Sequence, residues 1–571
     1  MNQYMERYAD WCKRADSETQ KELFALAQND NEIKERFYKD LEFGTAGLRG
    51  ILGAGSNRMN MYTVRRATQG LADCILQKGD EAARRGVAIS YDCRHFSEEF
   101  ALEAACVLAA NGIRSYLYAE MQPTPALSFA VRHLKTAAGI MITASHNPAN
   151  YNGYKVYGED GAQMNVEDSA AVLAFIQKTD IFSGVKIITP EQAKEKGLLT
   201  MIGEEVLSVY LEAVKGCTQN EALLKRTAGD LRIVYTPFHG TGYKPVMRAL
   251  KEVGFTQVFP VAEQAVKDSD FSTVASPNPE DPAGFAMAID LAKEKNADII
   301  IGTDPDSDRI GVLCKTAGGY EALNGNQTGV LLMEYVLSQK KNLKPQDYVV
   351  STVVSTNMVE KIAKAYGVKL YQVYTGFKFI AGIIKDHEIS PDGGSYIFGF
   401  EESFGYLPGT YARDKDAVAA ALLVCEAAAF YKEQGMTLTD ALLKLQQKYG
   451  YYTEYTESVY MEGIDGMEKM QKLLSDVGEK PFRQIGSAPV IAFRNYKTGL
   501  RHNYQTEQQE TIQMPSANVL YFELENGGFF ILRPSGTEPK IKLYFSVVGT
   551  SREDSDRKLN ELRKAAKELL V

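Results

Sequence analysis

The sequence predicts an α/β chain of four domains, three related mixed-sheet α/β domains and a smaller C-terminal α+β domain. An apolar strand, a polar loop, an amphipathic helix, a glycine and a second strand recur three times, and after Tyr451 the pattern changes to closely spaced strands and one charged helix. The length of 571 residues agrees, because about 150 residues per domain gives three to four. Residues 1–40 are charged and helical in pattern and read as a decoration on domain 1, 1–205, whose repeat is VAISYDCRHFSEEFALEAACVLAANGIRSYLY. A linking helix is expected around 203–215. Domain 2, 206–325, carries RIVYTPFHGTGYKPVMRALKEVGFTQVFPV, and domain 3, 326–450, carries YVVSTVVSTNMVEKIAKAYGVKLYQVY. In each repeat a glycine, Gly112, Gly254 or Gly367, stops the helix just before a strand, where the residue past the last turn needs positive φ. Strands alternating with helices in this way require βαβ crossovers and therefore parallel pairs. Domain 4, 451–571, has strands at APVIAFRN, VLYFELEN and GFFILRP and a charged helix from Arg552 to Leu570.

Composition narrows the function. With 45% hydrophobic and 24% charged residues the chain is an ordinary globular protein. The balance of 64 Lys+Arg against 73 Asp+Glu gives −9, which argues against a broad nucleic-acid-binding face, since phosphate backbones need clustered cations. The N-terminus, MNQYMERYADWCKRAD, lacks an apolar signal core, and no later run approaches ~20 apolar residues, so neither targeting nor a membrane span is expected. Seven cysteines without a CxxC pair imply a reducing, cytoplasmic setting, and six dispersed histidines offer no HxH or HExxH site for a transition metal.

Each repeat is followed by a loop rich in functional side chains. DPDSDR, 304–309, follows the strand ADIIIGT, and in extended backbone its carboxylates at Asp304, Asp306 and Asp308 fall on one side, where their repulsion calls for a cation. Oxygen ligands suit Mg²⁺. An EF-hand fails, because the sixth and twelfth positions from Asp304 are Arg309 and Lys315. A phosphatase with Asp304 as aspartyl nucleophile is the competing reading, and a plain polar turn the non-functional one. TASHNPANYNGYK, 143–155, places Ser145 among small and turn-forming residues without a GxSxG elbow, which favours a phosphoryl carrier over acyl transfer. His146, equally suited to a structural bond, and Lys155, beyond an Asn-Gly turn, are candidate proton carriers. In GFEESFGY, Glu401 and Ser403 present acceptors suited to adjacent sugar hydroxyls. In RPSGTEPK, Arg533, Ser535, Thr537 and Lys540 surround Gly536, so that cations, hydroxyls and backbone N–H groups can wrap a phosphate. FGTAGLRG adds Arg49 in a glycine-interrupted loop.

Together, TASHNPANYNGYK, DPDSDR, GFEES and RPSGTEPK occur in the order and spacing of the α-D-phosphohexomutase superfamily, which the chain resembles over nearly its whole length. The resemblance implies four domains around a central cleft, each donating one loop. Position for position, Ser145 resembles the phosphoserine, which would share the Mg²⁺ with Asp304, Asp306 and Asp308, and Lys155 resembles the general acid/base. Glu401 and Ser403 resemble the sugar-hydroxyl readers, and Arg533, Ser535, Gly536 and Thr537 the distal phosphate clamp. Arg49, His146 and Arg309 match active-site positions, while Lys415 in ARDKD and Lys378 in TGFK resemble further substrate contacts. Two departures, DPDSDR in place of the commoner DGDGDR and Phe400 where many relatives have glycine, remove no ligand. With FGTAGLRG, they point to a branch containing phosphoglucomutases of Gram-positive bacteria, phosphopentomutases and glucose-1,6-bisphosphate synthases.

The implied reaction is the reversible interconversion of glucose 1-phosphate and glucose 6-phosphate through phospho-Ser145, with Mg²⁺ as cofactor and glucose 1,6-bisphosphate as activator and intermediate. Mannose or pentose phosphates, or bisphosphate synthesis, fit the same motifs. A non-catalytic sugar-phosphate-binding protein is the rival from another class. Small-molecule sugar phosphates are the expected partners, with neither nucleic acid nor membrane among them.

Overall fold

The computed structural model describes residues 2–44, 47–390, 392–460, 466–534 and 540–570. It divides into two compact units, residues 1–328 with 376–437, and residues 329–375 with 438–571.

In the first unit, the helices Gln3–Arg14, Ser17–Ala25 and Asp30–Phe37 form the expected N-terminal decoration, burying Trp11, Leu23, Ile33 and Phe37 together with Ala54 and Tyr62. Asp16 caps the second helix by accepting from the Glu18 and Thr19 N–H groups, and it also accepts the Tyr62 hydroxyl at 2.6 Å. The first sheet comprises β1 (Leu48–Ile51), β2 (Val87–Tyr91), β3 (Ser115–Tyr118), β4 (Ala138–Ile142), β5 (Tyr151–Gly158) and β6 (Leu199–Ile202), in the order β1-β5-β4-β2-β3-β6. β4, β2, β3 and β6 are mutually parallel, and β5 runs antiparallel to both β4 and β1. Every residue of β2 and β4 is buried, as befits strands covered on both faces.

The second sheet repeats this logic with β7 (Ile233–Thr236), β8 (Val258–Pro260), β9 (Ile299–Thr303), β10 (Ile310–Thr316) and β11 (Gly319–Leu323), ordered β11-β10-β9-β7-β8. β9, β7 and β8 are parallel, while β10 and β11 return antiparallel. The third repeat gives the parallel pair β12 (Tyr348–Thr352) and β13 (Lys369–Val373) around the helix Met358–Tyr366, in the second unit. Gly112, Gly254 and Gly367 have φ of +74°, +108° and +67°, so each helix stop rests on the backbone freedom expected of it. The antiparallel hairpin β14 (Tyr396–Glu401) and β15 (Gly405–Leu407) belongs to the first unit.

The linking helix runs Glu204–Lys215, so the expected boundary at 205/206 falls within its first turn. Its Tyr210 donates to Asp416 at 2.9 Å, and Tyr411 donates to the same carboxylate at 2.6 Å. Asp416 also accepts from the Val418 and Ala419 N–H groups, capping the helix Ala417–Glu433, which is buried almost all round. One carboxylate thus fixes the start of a core helix and the adjoining loop that carries Lys415.

The C-terminal region of the second unit contains β16 (Tyr451–Tyr460), β17 (Gln484–Ile485), β18 (Ala488–Asn495), β19 (Leu500–Asn503), β20 (Gln508–Thr511), β21 (Leu520–Leu524), β22 (Phe529–Pro534) and β23 (Lys540–Gly549). They form an antiparallel sheet in the order β16-β23-β22-β21-β18-β19-β20, with β17 paired to β18. Phe493, Phe522, Phe530 and Phe545 share one core with Met470 and Leu474 from the helix Gly466–Glu479 and Leu559 and Leu562 from the helix Arg552–Leu570. Full burial of each such side chain contributes roughly 1.5–3 kcal/mol.

Candidate active site

The site grows from strand ends. β4 leads into residues 143–147, and β5 brings the chain back beside it. The Asn-Gly pair read as a turn lies inside β5 instead, because a Cβ on Gly153 would meet the Thr143 carbonyl oxygen at 2.4 Å, and glycine is what allows the two segments to approach. Lys155 therefore sits mid-strand opposite Met141, buried, with its Nζ 2.8 Å from Asp306 Oδ2 and 3.5 Å from Asp308 Oδ2. Ser145 has φ of +51°, and its Oγ donates to Asp304 Oδ2 at 2.6 Å and lies 3.2 Å from His146 Nδ1.

The aspartates converge by a route other than extended backbone. Asp304–Arg309 is the reversal between antiparallel β9 and β10, where strand alternation no longer applies. Ser307 takes φ of +53°, and Asp304 Oδ1 accepts the N–H groups of Asp308 and Arg309, each at 3.0 Å. This turn brings oxygens of Asp304, Asp306 and Asp308 within 4.8 Å of one another, all buried. Asp306 Oδ1 and Asp308 Oδ1 are buried without a hydrogen-bond partner. A buried acceptor-only cluster with such orphaned oxygens fits a hard cation. Burial, with Asp306 and Asp308 beside it, pushes the Asp304 carboxyl well above its usual range. For Asp306, burial acts the same way but the Lys155 ammonium outweighs it, and the carboxyl is held low.

Around this centre, Lys415 Nζ lies 2.8 Å from Asp308 Oδ2 and 3.4 Å from Asp414, whose other oxygen accepts the Tyr157 hydroxyl. Burial opposes the charge on Lys415, yet these two carboxylates hold it more firmly protonated than a free lysine. Arg309 pairs with Glu280 at 2.6 Å. Arg49 lies in edge strand β1 rather than in a loop, and donates to Asn147 Oδ1 at 2.9 Å. Burial, and then the charges of Arg309 and Arg49, lower His146 from 6.5 to about 2, so its imidazole is neutral.

Glu401 ends β14 and is buried, its Oε1 accepting the Gly376 N–H at 2.6 Å, just ahead of the helix Phe377–Ile389 that carries Lys378. Burial, only partly countered by Lys415, raises the Glu401 carboxyl from 4.5 to about 7. Ser403 lies in the turn after β14, and that turn is fixed to the end of the aspartate loop where Ile310 N–H donates to the Phe404 carbonyl at 3.1 Å. Lys378 is half-buried. The structure thus brings Ser145, His146, Lys155, the aspartates, Arg309, Arg49 and Lys415 together with Glu401 nearby. Arg533 lies at the end of β22 in the second unit, its Nη1 3.5 Å from the Tyr544 hydroxyl, and Lys540 opens β23. Ser535, Gly536 and Thr537 lie outside the described residues.

Sequence reasoning missed Thr124. Its hydroxyl donates to Asp306 Oδ2 at 2.9 Å and its N–H to the Asp306 carbonyl at 2.9 Å, from the start of the helix Thr124–His133. The signal available was Thr-Pro at a helix start, which reads locally as a cap and reveals nothing of a partner 182 positions away.

Residues 40–181, 208–319 and 324–449 match, in order, the alpha/beta/alpha domains I, II and III of phosphoglucomutase/phosphomannomutase. The chain belongs to this family. Relatives within the phosphoglucomutase/phosphomannomutase family include a protein of Staphylococcus epidermidis named phosphoglucomutase, 39% identical over 525 residues, covering 91% of this chain and 93% of that one. A phosphoglucomutase of Staphylococcus aureus is 36% identical, with 97% of each chain covered. Among solved structures, the Paramecium protein described as pp63/parafusin, a phosphoglucomutase, aligns with a TM-score of 0.70 at 17% identity, over 93% of this chain and 95% of that one. A phosphoglucomutase/phosphomannomutase family protein of Burkholderia thailandensis aligns with a TM-score of 0.64 at 19% identity, over 92% and 97%. At these identities the two structures establish the fold alone. No helix among the described residues is long and apolar enough to cross a membrane.

Proposed function

We propose that this family member is a phosphoglucomutase, interconverting glucose 1-phosphate and glucose 6-phosphate through phospho-Ser145 and a glucose 1,6-bisphosphate intermediate. The observation that carries the proposal is the Ser145 hydroxyl 2.6 Å from Asp304 in a buried three-aspartate cluster, in a chain 39% identical to a relative named phosphoglucomutase. In the first half-reaction the bond between phosphorus and Ser145 Oγ breaks, a bond to a sugar hydroxyl oxygen forms, and one proton passes from that hydroxyl to Ser145 Oγ. In the second, the bisphosphate's other phosphorus–oxygen bond breaks, the bond to Ser145 Oγ forms again, and the proton returns to the sugar oxygen. Lys155, buried with its Nζ 2.8 Å from Asp306 Oδ2, is the proposed relay. Asp304, Asp306 and Asp308 would hold Mg²⁺ with the serine oxygen, and the ion when bound supplies positive charge against the transferring phosphoryl group. Arg309 and Arg49 add cationic charge beside Ser145, and Lys415 holds Asp308. Glu401 and Ser403, with Lys378, are assigned the sugar hydroxyls, and Arg533, Ser535, Gly536 and Thr537 the non-reacting phosphate. The seven cysteines, six of them buried and none in a disulfide, suit a cytoplasmic setting.

The test compares kcat/KM for glucose 1-phosphate, mannose 1-phosphate and ribose 1-phosphate, with Mg²⁺ and bisphosphate primer. Glucose 1-phosphate is expected to lead, and a preference for the pentose would defeat the glucomutase assignment. Glu401 adds a pH signature. Its carboxyl is pushed up to about 7, and the ionised form is the stronger, acceptor-only partner for sugar hydroxyls, so kcat/KM is expected to rise with pH through about 7. The Glu401→Gln variant should be slow and lack that inflection, which separates it from titration of the substrate's own phosphate. The stability sign is opposite. With the folded value raised above 4.5, the ligand-free protein loses stability as pH climbs from 4.5 through 7, and Glu401→Gln should flatten that slope in thermal melts.

A further inference from the structure

The loop after β2 contains a buried arginine that touches none of the aspartates or the cations around them and yet surrounds the serine loop. Arg94, 1% exposed, donates through Nη1 to the carbonyls of Pro148 at 2.8 Å and Tyr151 at 3.1 Å, and through Nη2 to the carbonyls of Ser145 at 2.6 Å and Asn147. Its Nε lies 3.4 Å from Asp92 Oδ2, and its guanidinium stands 5.0 Å over the Phe271 ring. Asp92, fully buried, accepts the Arg94 N–H, the Ser97 hydroxyl at 2.7 Å and the Thr143 hydroxyl at 2.6 Å. Thr143 Oγ1 in turn accepts the Ser145 N–H at 2.8 Å. A closed ring results, running Asp92, Thr143, Ser145, Arg94 and back to Asp92. It exists because β2 and β4 are parallel neighbours, with Tyr91 opposite Ile142, so that the loops leaving their C-terminal ends emerge side by side.

The ring grips Ser145 on both sides of its Cα, at the N–H through Thr143 and at the carbonyl through Arg94. That residue has φ of +51°, a conformation that costs a non-glycine residue energy and persists only where the surroundings over-determine it. We infer that Arg94 and Asp92 are positioning residues for phosphoryl transfer, holding Ser145 in the left-handed conformation from which its Oγ reaches Asp304. The inference rests on the reading of Ser145 as the phosphoryl carrier. Only arginine fits the role, since its fixed planar fork serves four carbonyls at once, whereas a lysine ammonium has three donors around one point.

The test uses the full-length Arg94→Lys and Thr143→Val variants with two readouts, steady-state kinetics and amide hydrogen exchange. Misplacing a reacting group by an ångström costs up to about 100-fold, so kcat of Arg94→Lys is expected to fall about 10–100-fold while KM changes less than about threefold. Exchange should quicken in residues 143–151 and remain unchanged in the helices Ser97–Ala110 and Ala417–Glu433. Thr143→Val, which keeps shape and charge, should show a smaller loss of the same kind. Wild-type kcat and wild-type exchange at 143–151 in both variants would overturn the inference, as would faster exchange spread evenly over the whole first sheet and its helices. If the wild-type protein itself transferred no phosphoryl group, the assignment of Ser145 would fail, and the exchange comparison would still decide whether the ring holds the loop.

Discussion

Replacement of Ser145 by alanine is expected to abolish isomerisation, with kcat falling by at least about 10⁴-fold and no phosphate appearing on the protein after incubation with glucose 1,6-bisphosphate and Mg²⁺. The hydroxyl is the sole oxygen at this position able to accept a phosphoryl group, and it touches Asp304 directly at 2.6 Å. The fold should survive. Alanine at φ of +51° carries a penalty of about 1–2 kcal/mol similar to that of serine, and Ser145→Gly would relieve it, so both variants should melt within a few degrees of wild type while being equally inactive. Intact mass with peptide mapping and a coupled assay provide the measurement. Activity in either variant within about tenfold of wild type would place the acceptor elsewhere, and phosphate found on Asp304 would favour an aspartyl-phosphate enzyme.

Chelation of divalent metal is expected to remove activity altogether, with Mg²⁺ restoring it, and to lower the thermal midpoint. Three carboxylates sharing a buried site repel one another, and Asp304 carries that strain as a raised carboxyl. A carboxyl whose folded value lies above its unfolded value contributes fully at acid pH and loses that contribution as pH rises through the folded value, so towards neutral pH Asp304 costs the metal-free protein stability, a cost that Asp306, held low beside Lys155, does not share. A bound cation reverses this. At 100 times its dissociation constant it stabilises by about 2.7 kcal/mol, a shift of a few degrees or less for a chain of this size. Asp304→Asn should be at least as stable as metal-free wild type, and should gain nothing from Mg²⁺. An equal Mg²⁺-dependent shift in that variant would show that the ion binds somewhere else.

Much of this architecture was legible in the residues. The three strand-helix-glycine-strand units appear as written, because a strand buried on both faces and a helix stopped by glycine leave local signatures. The C-terminal strands and the helix Arg552–Leu570 appear as read. Ser145, Lys155 and the aspartates were nameable because their segments carry unusual residue types close together. Backbone conformation was less legible. DPDSDR was expected to be extended and is a reversal, and Asn152-Gly153 was expected to be a turn and is strand, because both depend on which neighbour the strand pairs with. Thr124, Asp92 and Arg94 escaped notice for the same reason. Thr124 and Arg94 donate to acceptors far along the chain, and Asp92 accepts a hydroxyl from Thr143, 51 positions away, pairings that leave no mark in a sequence.

The pair of hydrogen bonds from Thr124 to Asp306 ties a helix of family domain I to the aspartate loop of domain II. Recombination between these domains would therefore disturb the aspartate cluster wherever the incoming domain I lacked a matching donor at position 124. A chimaera taking domain II from a distant relative would need the helix start at 124 to travel with it. The hairpin bearing Glu401 is joined to the end of the aspartate loop by a main-chain bond from Ile310 to the Phe404 carbonyl, a bond that does not depend on the side chain at 404. On the proposed assignment of Glu401 to the sugar hydroxyls, variation in sugar preference would have more room there than variation around the aspartates.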